Sequence, residues 1–207
     1  MKKIKLLAVA ASLLLLAGCS AMNKEECLSA DWRLIGLQDG ERGERLSQVG
    51  EYRKQCSEYG VTPDQDRYAT GREEGLKSYC TKQSGFVNGK RDDKYKGVCP
   101  AESHDEFMAG YKIGQEYYAV QSEISELETK IRDNDYEFKE GTGKIDRLSL
   151  KVQQSSGSAE EKQSLMSQVL ELSKKNVTLN TENVFLREKL AVKKYQYKLL
   201  QEKYGYR

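Results

Sequence analysis

The stretch SSGSAEEKQSLMSQVLELSKKNVTLNTENVFLREKL, residues 155–190, decides the fold. Ser155-Ser156-Gly157 interrupts whatever helix precedes it. Ser158 to Glu161 then has the residue types of a capping box, in which the Ser oxygen takes the Glu161 N–H and the Glu carboxylate takes the Ser158 N–H. Beyond this start, Leu165, Leu172, Leu179, Leu186 and Leu200 recur at one heptad position, with Lys193 as an intruder. Val169, Asn176, Asn183, Leu190, Tyr197 and Tyr204 recur at a second. Such a stripe belongs to a long amphipathic helix that needs a partner. Residues 159–204 as one helix would run about 70 Å, at 1.5 Å per residue.

Working upstream, Val120, Ile124, Leu127, Ile131, Asn134 and Phe138 show a similar alternation. It continues through Ile145, Leu148 and Val152 across a weak point at Gly141-Thr142-Gly143. The phase differs from that of the later stripe, as expected if the break at 155–158 is real. Two arrangements bury both stripes. The chain bends at the break and forms an antiparallel hairpin, or the later helix pairs with a copy of itself, a homo-oligomer through residues 159–204 in which Asn176 and Asn183 fix a parallel register. The break and its capping box favour the hairpin. The basic, tyrosine-containing end from Arg187 to Arg207 reads as a solvated helix terminus whose Lys side chains complement the helix dipole, the alternative being a surface for anionic lipid or cell-wall polymer.

The first half has a different composition. Both prolines, four of the five Cys, the single Trp and twelve of the seventeen Gly lie between Cys27 and Gly114. Residues 27–118 are therefore expected to form a compact helical domain, and 119–207 the hairpin or coiled coil. The expected fold class is mainly α, a small disulfide-stapled helical domain followed by a long helical hairpin or coiled coil. Cys27, Cys56, Cys80 and Cys99 allow three pairings. The midpoint of Cys27 and Cys56 falls in Asp39-Gly40-Glu41-Arg42-Gly43, and that of Cys80 and Cys99 beside Asn88-Gly89, both read as turns. Folding back at these points favours Cys27 with Cys56 and Cys80 with Cys99. No Cys-x-x-Cys pair occurs and His104 is the only His, so no metal site and no cofactor is expected.

Residues 1–18 read as an export signal rather than as fold: Lys2, Lys3 and Lys5 precede an apolar run, Leu6 to Leu16, too short for a permanent membrane span. Leu16-Ala17-Gly18-Cys19 resembles the lipobox of bacterial lipoproteins. The resemblance implies cleavage before Cys19, acylation of that residue, and a tether over residues 19–26. Ser20, in place of the Asp that retains many lipoproteins in the inner membrane, implies an outer-membrane protein facing the periplasm. Several acyl chains hold a protein durably on a bilayer, at about 0.8 kcal/mol per buried CH₂.

Three segments of the first half place an aromatic residue ahead of glycines four apart: Trp32 with Gly36 and Gly40, Tyr68 with Gly71 and Gly75, Phe107 with Gly110 and Gly114. Thr62-Pro63-Asp64-Gln65 and Ser103-His104-Asp105-Glu106 read as helix starts. Glycines on one helix face point to close helix packing. The alternative is a glycan- or small-ligand-binding groove lined by Trp32, Tyr68, Tyr79 and Phe107. Asp31-Trp32, Gly36-Leu37, Asp39-Gly40, Cys56, Tyr68, Gly71-Arg72, Gly75-Leu76, Tyr79-Cys80 and Tyr95 to Pro100 resemble the DUF2799 family of uncharacterised bacterial lipoproteins, over roughly residues 27 to 118. The resemblance implies a cell-envelope domain and supplies no reaction.

The whole chain has 34 Lys+Arg against 32 Asp+Glu, with the three signal lysines accounting for the basic excess, so nucleic acid is not an expected partner. No nucleophile elbow, phosphate loop or zinc-protease motif occurs. A carboxylate pair such as Asp31 with Glu73 is not singled out by anything around it. The expectation is a non-catalytic, lipid-anchored envelope protein whose partners are the membrane and an envelope protein or peptidoglycan.

Overall fold

The computed structural model describes residues 22–206, so the export signal, the lipobox and Cys19 lie outside the described residues. Among the described residues there is no strand. The helices are α1 (Lys24–Leu28), α2 (Trp32–Glu41), α3 (Gln48–Cys56), α4 (Gln65–Tyr79), α5 (Lys82–Lys90), α6 (Ala101–Gln154) and α7 (Ala159–Tyr204), with a 3₁₀ turn at Ser57–Tyr59.

Contacts divide the chain into two units. One holds the described residues up to Gly85 with Lys94–Met108, the other Phe86–Asp93 with the described residues from Ala109 onward. The units interleave along the chain, and both α5 and α6 are divided between them.

In the first unit, α1 starts on a capping box between Asn23 and Glu26, and α2 starts on Asp31, whose carboxylate accepts from the N–H groups of Arg33 and Leu34. Cys27, Trp32, Val49, Cys56 and Tyr68 form its core, with Met22, Ile35, Tyr52, Tyr59 and Val61 packed around them. The disulfides are Cys27–Cys56 and Cys80–Cys99, spanning 29 and 19 residues. Loops of this size contribute about 3 to 4 kcal/mol each in the chain-entropy account.

Several local signals act at other positions than expected. The Asp39 to Gly43 turn begins later, since Asp39, Gly40 and Glu41 complete α2, and only then does Gly43 reverse the chain at φ 68°. Asn88 and Gly89 likewise lie inside α5, and the reversal falls on Asp92 at φ 60°. Helix α4 is capped by Asp64, which accepts from Arg67 N–H, rather than by Thr62. Helix α6 begins at Ala101, and Pro100 O accepts from Ser103 and His104 N–H, so Ser103 is a first-turn residue and not the N-cap. The two turn signals thus lie at the ends of helices, and the two capping signals lie within three residues of the real helix starts.

The second unit contains the hairpin. Its α7 starts on the Ser158/Glu161 capping box and ends on Gly205 at φ 72°. Helix α6 runs through Gly141-Thr142-Gly143 without a break. The helices are antiparallel, as successive ties show: Asn176 to Phe138 and Thr142, Asn183 to Ile131 and Asp135, Lys193 to Glu123, and Tyr204 to Glu116. Asn176 and Asn183 therefore bond within one chain, which is the hairpin arrangement rather than a parallel seam between copies.

Candidate functional site

Five features stand out: two glycine crossings, a buried carboxylate, a cleft beside a disulfide, and the polar layers of the hairpin.

The first crossing is made by α2 and α4. A Cβ on Gly36 would strike Tyr68 O, one on Gly40 would strike Arg72 O, one on Gly71 would strike Arg33 O, and one on Gly75 would strike Leu37 O. Every glycine of both pairs faces the other helix's backbone. Close approach of this kind is what a missing side chain permits. These glycine faces are filled, so they leave no groove. The aromatic residues sharing the repeat are also interior: Trp32, Tyr68, Tyr79 and Phe107 are all under a tenth exposed. Trp32 and Tyr68 each lie against Tyr52, and Phe107 stacks on Tyr79 at 5.1 Å between centroids and meets Tyr95 at 4.6 Å.

Beside this crossing Asp39 is 1% exposed. Its carboxylate accepts from the hydroxyls of Tyr68 at 2.7 Å and Tyr52 at 3.0 Å, and from Arg42 Nη2 at 2.6 Å. A buried carboxylate is tolerable only when charge and lone pairs are both met, and here one cation and two phenols do so. Burial and the adjacent Asp39 charge push Tyr52 up to about 12, and burial together with the Asp39 hydrogen bond drives Tyr68 higher still. Both phenols stay neutral donors to the carboxylate over the physiological range. The hydrogen bond to Asp39 likewise raises Arg42. The following loop is tied down by Arg72 Nε donating to Glu44 O and by the Lys96–Glu44 ion pair.

The Cys80–Cys99 loop is held from within. Tyr95 Oη accepts from Cys99 N–H at 3.0 Å and shares a hydrogen bond of 3.2 Å with His104 Nδ1, which gives the single His a structural place. Next to it lies an open cleft of about 730 Å³. Leu76, Cys80, Val98 and Pro100 contribute its apolar lining, with Arg72, Lys77, Glu73, Glu102 and Glu106 around them. The carboxylates considered as a pair have separate duties: Asp31 caps α2 and pairs with Arg67, while Glu73 lines this cleft. Among the described residues no cluster of His, Cys, Asp or Glu is arranged to hold a metal ion.

In the second unit α5 and α6 repeat the crossing. A Cβ on Gly89 would strike Tyr111 O, and one on Gly114 would strike Phe86 O and approach Lys90 N. The reversal after α5 also copies the one after α2: Glu44 N–H donates to Asp39 O and Gly43 N–H to Gly40 O in the first, Asp93 N–H to Asn88 O and Asp92 N–H to Gly89 O in the second. The expected repeat had three glycine pairs. Gly85 and Gly89 are a fourth, whose four-residue spacing is the signal in the sequence and which the turn-like pair Asn88-Gly89 masks. Around this crossing the filling is aromatic. Tyr206 stacks on Phe86 at 3.8 Å, Tyr117 meets Phe86 and Tyr197 edge-on, and Tyr117 Oη donates to Tyr206 O. The tyrosines of the C-terminal stretch thus include packed residues, which the expectation of a solvated end did not foresee.

Along the hairpin, Asn176 Nδ2 donates to Phe138 O and Thr142 Oγ1, and its side chain occupies the space that a Cβ on Gly141 would need. Asn183 Nδ2 donates to Asp135 Oδ1 at 2.7 Å, and Arg187 pairs with the same carboxylate. These polar layers fix the register between α6 and α7.

No curated protein and no solved structure matches this chain. The model of a family described as a protein of unknown function, DUF2799, matches residues 31–116, a span that contains both glycine crossings. Over residues 31–116 the chain is similar to that family.

Proposed function

We propose that this chain is a lipid-anchored lipoprotein of the bacterial outer membrane, facing the periplasm, with a structural or interaction role and no catalysis of its own. One observation carries the reading. The four cysteines among the described residues pair with one another, leaving Cys19, at the end of the apolar export run, as the residue for the lipid. Disulfides persist in oxidising compartments, which agrees with export. Among the described residues no helix is long and apolar enough to cross a membrane, so attachment through Cys19 is the route this reading needs. The hairpin, with α6 of 54 and α7 of 46 residues, supplies the interaction element. An envelope protein or peptidoglycan is the class of partner it would meet.

Metabolic labelling with a fatty-acid analogue tests the anchor. The wild-type chain should take up label and sediment with outer membranes, and Cys19→Ala should lose the label. An unlabelled wild-type chain in the soluble cytosolic fraction would defeat the reading.

A second reading, a small-ligand or glycan module, is favoured by the cleft beside Cys80–Cys99, whose 730 Å³ falls within the ordinary range of ligand pockets. Trp32, Tyr68, Tyr79 and Phe107 are each under a tenth exposed, so this reading rests on the cleft. Glycan binding that survives in the wild type and is lost in Arg72→Ala or Lys77→Ala, with folding intact, would support it.

A further inference from the structure

The two helices of the hairpin differ on their outer sides. Besides the residues it turns toward α6, α7 exposes a second apolar row: Leu170 is 59% exposed, Val177 67%, Val184 58%, Phe185 59%, Val192 52% and Leu199 43%. Tyr195, at 60%, continues it. At 100° per residue all seven fall within an arc of about 100°. These side chains leave roughly 800 Å² of surface uncovered, the amount each partner contributes to a standard protein interface. Part of the row borders a groove of about 630 Å³ between α6 and α7 that Leu127, Phe185 and Val192 help to line.

Between residues 170 and 199 the same arc contains only three other residues, Lys174, Thr181 and Glu188, all exposed and seven apart. Their order is self-complementary. If a second α7 lies antiparallel with Thr181 on the two-fold axis, Lys174 faces Glu188 of the other copy, twice. In that register Leu170 meets Val192 and Val177 meets Phe185, while the small Thr181 sits where the two copies of one residue must meet. A parallel pairing would instead place Lys174 on Lys174 and Glu188 on Glu188. An isologous contact requires a surface that complements itself under rotation, and this row satisfies the requirement in one direction only.

We propose that a second copy of this chain docks antiparallel along the outer face of α7, with its two-fold axis at Thr181 and reciprocal Lys174–Glu188 contacts. The interface is separate from the α6-facing seam and does not depend on the membrane anchor.

The test uses the full mature chain in mild detergent, followed by sedimentation equilibrium. The wild type should form a dimer. Lys174→Glu and Glu188→Lys should each weaken it roughly tenfold, since each creates two like-charge contacts, and the double exchange should restore it. In parallel, Thr181→Cys should crosslink to itself on mild oxidation, Leu170→Cys and Val192→Cys should not, and a mixture of those two should. A monomer at all concentrations, a double exchange no better than the single ones, or equal self-crosslinking at 170, 181 and 192 would overturn the proposal. A chain that stays monomeric while this face associates with lipid vesicles would overturn it as well.

Discussion

The two glycine crossings share one backbone arrangement and differ in what fills the space beside it. At the first, Gly40 and Gly75 meet the opposite backbone, and the adjoining position is the buried Asp39 held by Tyr52, Tyr68 and Arg42. At the second, Gly89 and Gly114 do the same, Asn88 stands where Asp39 stood in the reversal, and Tyr206 from the far end of the chain lies on Phe86. The comparison teaches that the crossing is a matter of backbone contact, while the filler can be charge in one place and aromatic surface in another.

The largest expected effect tests the shared part. Gly75→Ala and Gly114→Ala should each destabilise their own crossing by at least about 3 kcal/mol, because the obstructing atoms are backbone and cannot swing away. Urea denaturation followed by circular dichroism measures this. Normal stability in either variant would remove the equivalence of the two crossings.

Asp39→Asn, which gives the first crossing the residue type of the second, should lower stability by about 2 to 3 kcal/mol, since Arg42 and the two phenols lose the carboxylate they share. An unchanged denaturation midpoint would mean the charge is dispensable at that position.

The same cluster predicts an alkaline limit. Tyr52 and Tyr68 have pKa values raised by folding, so their contribution is complete below about pH 10, where the unfolded phenols begin to ionise. It should be lost as the pH rises through about 12, where Tyr52 ionises in the fold. Midpoints measured from pH 8 to 12 should fall above pH 10, and less steeply in Tyr52→Phe.

A smaller effect belongs to the aromatic filler. Tyr206→Ala should remove about 0.5 to 1.5 kcal/mol and raise amide exchange around Gly89 and Gly114, leaving the amides near Gly40 and Gly75 unaffected. The smallest change is a control. Gly50 lies in α3 with nothing near the place of a Cβ, and Gly50→Ala should stabilise by about 0.5 to 1 kcal/mol.

Local patterns foretold the helical class, the break at 155–158 and its capping box, and both disulfides. The class, the break and its cap rest on neighbouring residues or on a helix's own period, while the disulfide pairing holds because the chain does reverse close to both turn signals, at Gly43 and Asp92. Asp39-Gly40 and Asn88-Gly89 have the composition of turns and lie in helices, because a glycine that bends the chain and a glycine that admits another helix look alike until the second helix is located. Asp39 itself carried no sign of its partners, which come from positions 42, 52 and 68 and converge only after folding. The outer row of α7 was present in the sequence, but its exposure could not be told from burial before Leu179 and Leu186 were seen turned inward.

The Asn176 and Asn183 layers have a consequence for how hairpins of this kind can vary in length. They lock α6 to α7 at fixed heights, so an insertion into one helix between those layers would put every later pair out of step. On the distal side, between Thr142 and Asn176, the chain is free of that lock. Seven residues added to each arm there would extend the hairpin by about 10 Å and leave every crossing and every asparagine in place. The turn at Ser155 to Ser158 is where descendants of this sequence can grow or shrink, in matched steps, like a telescoping mast.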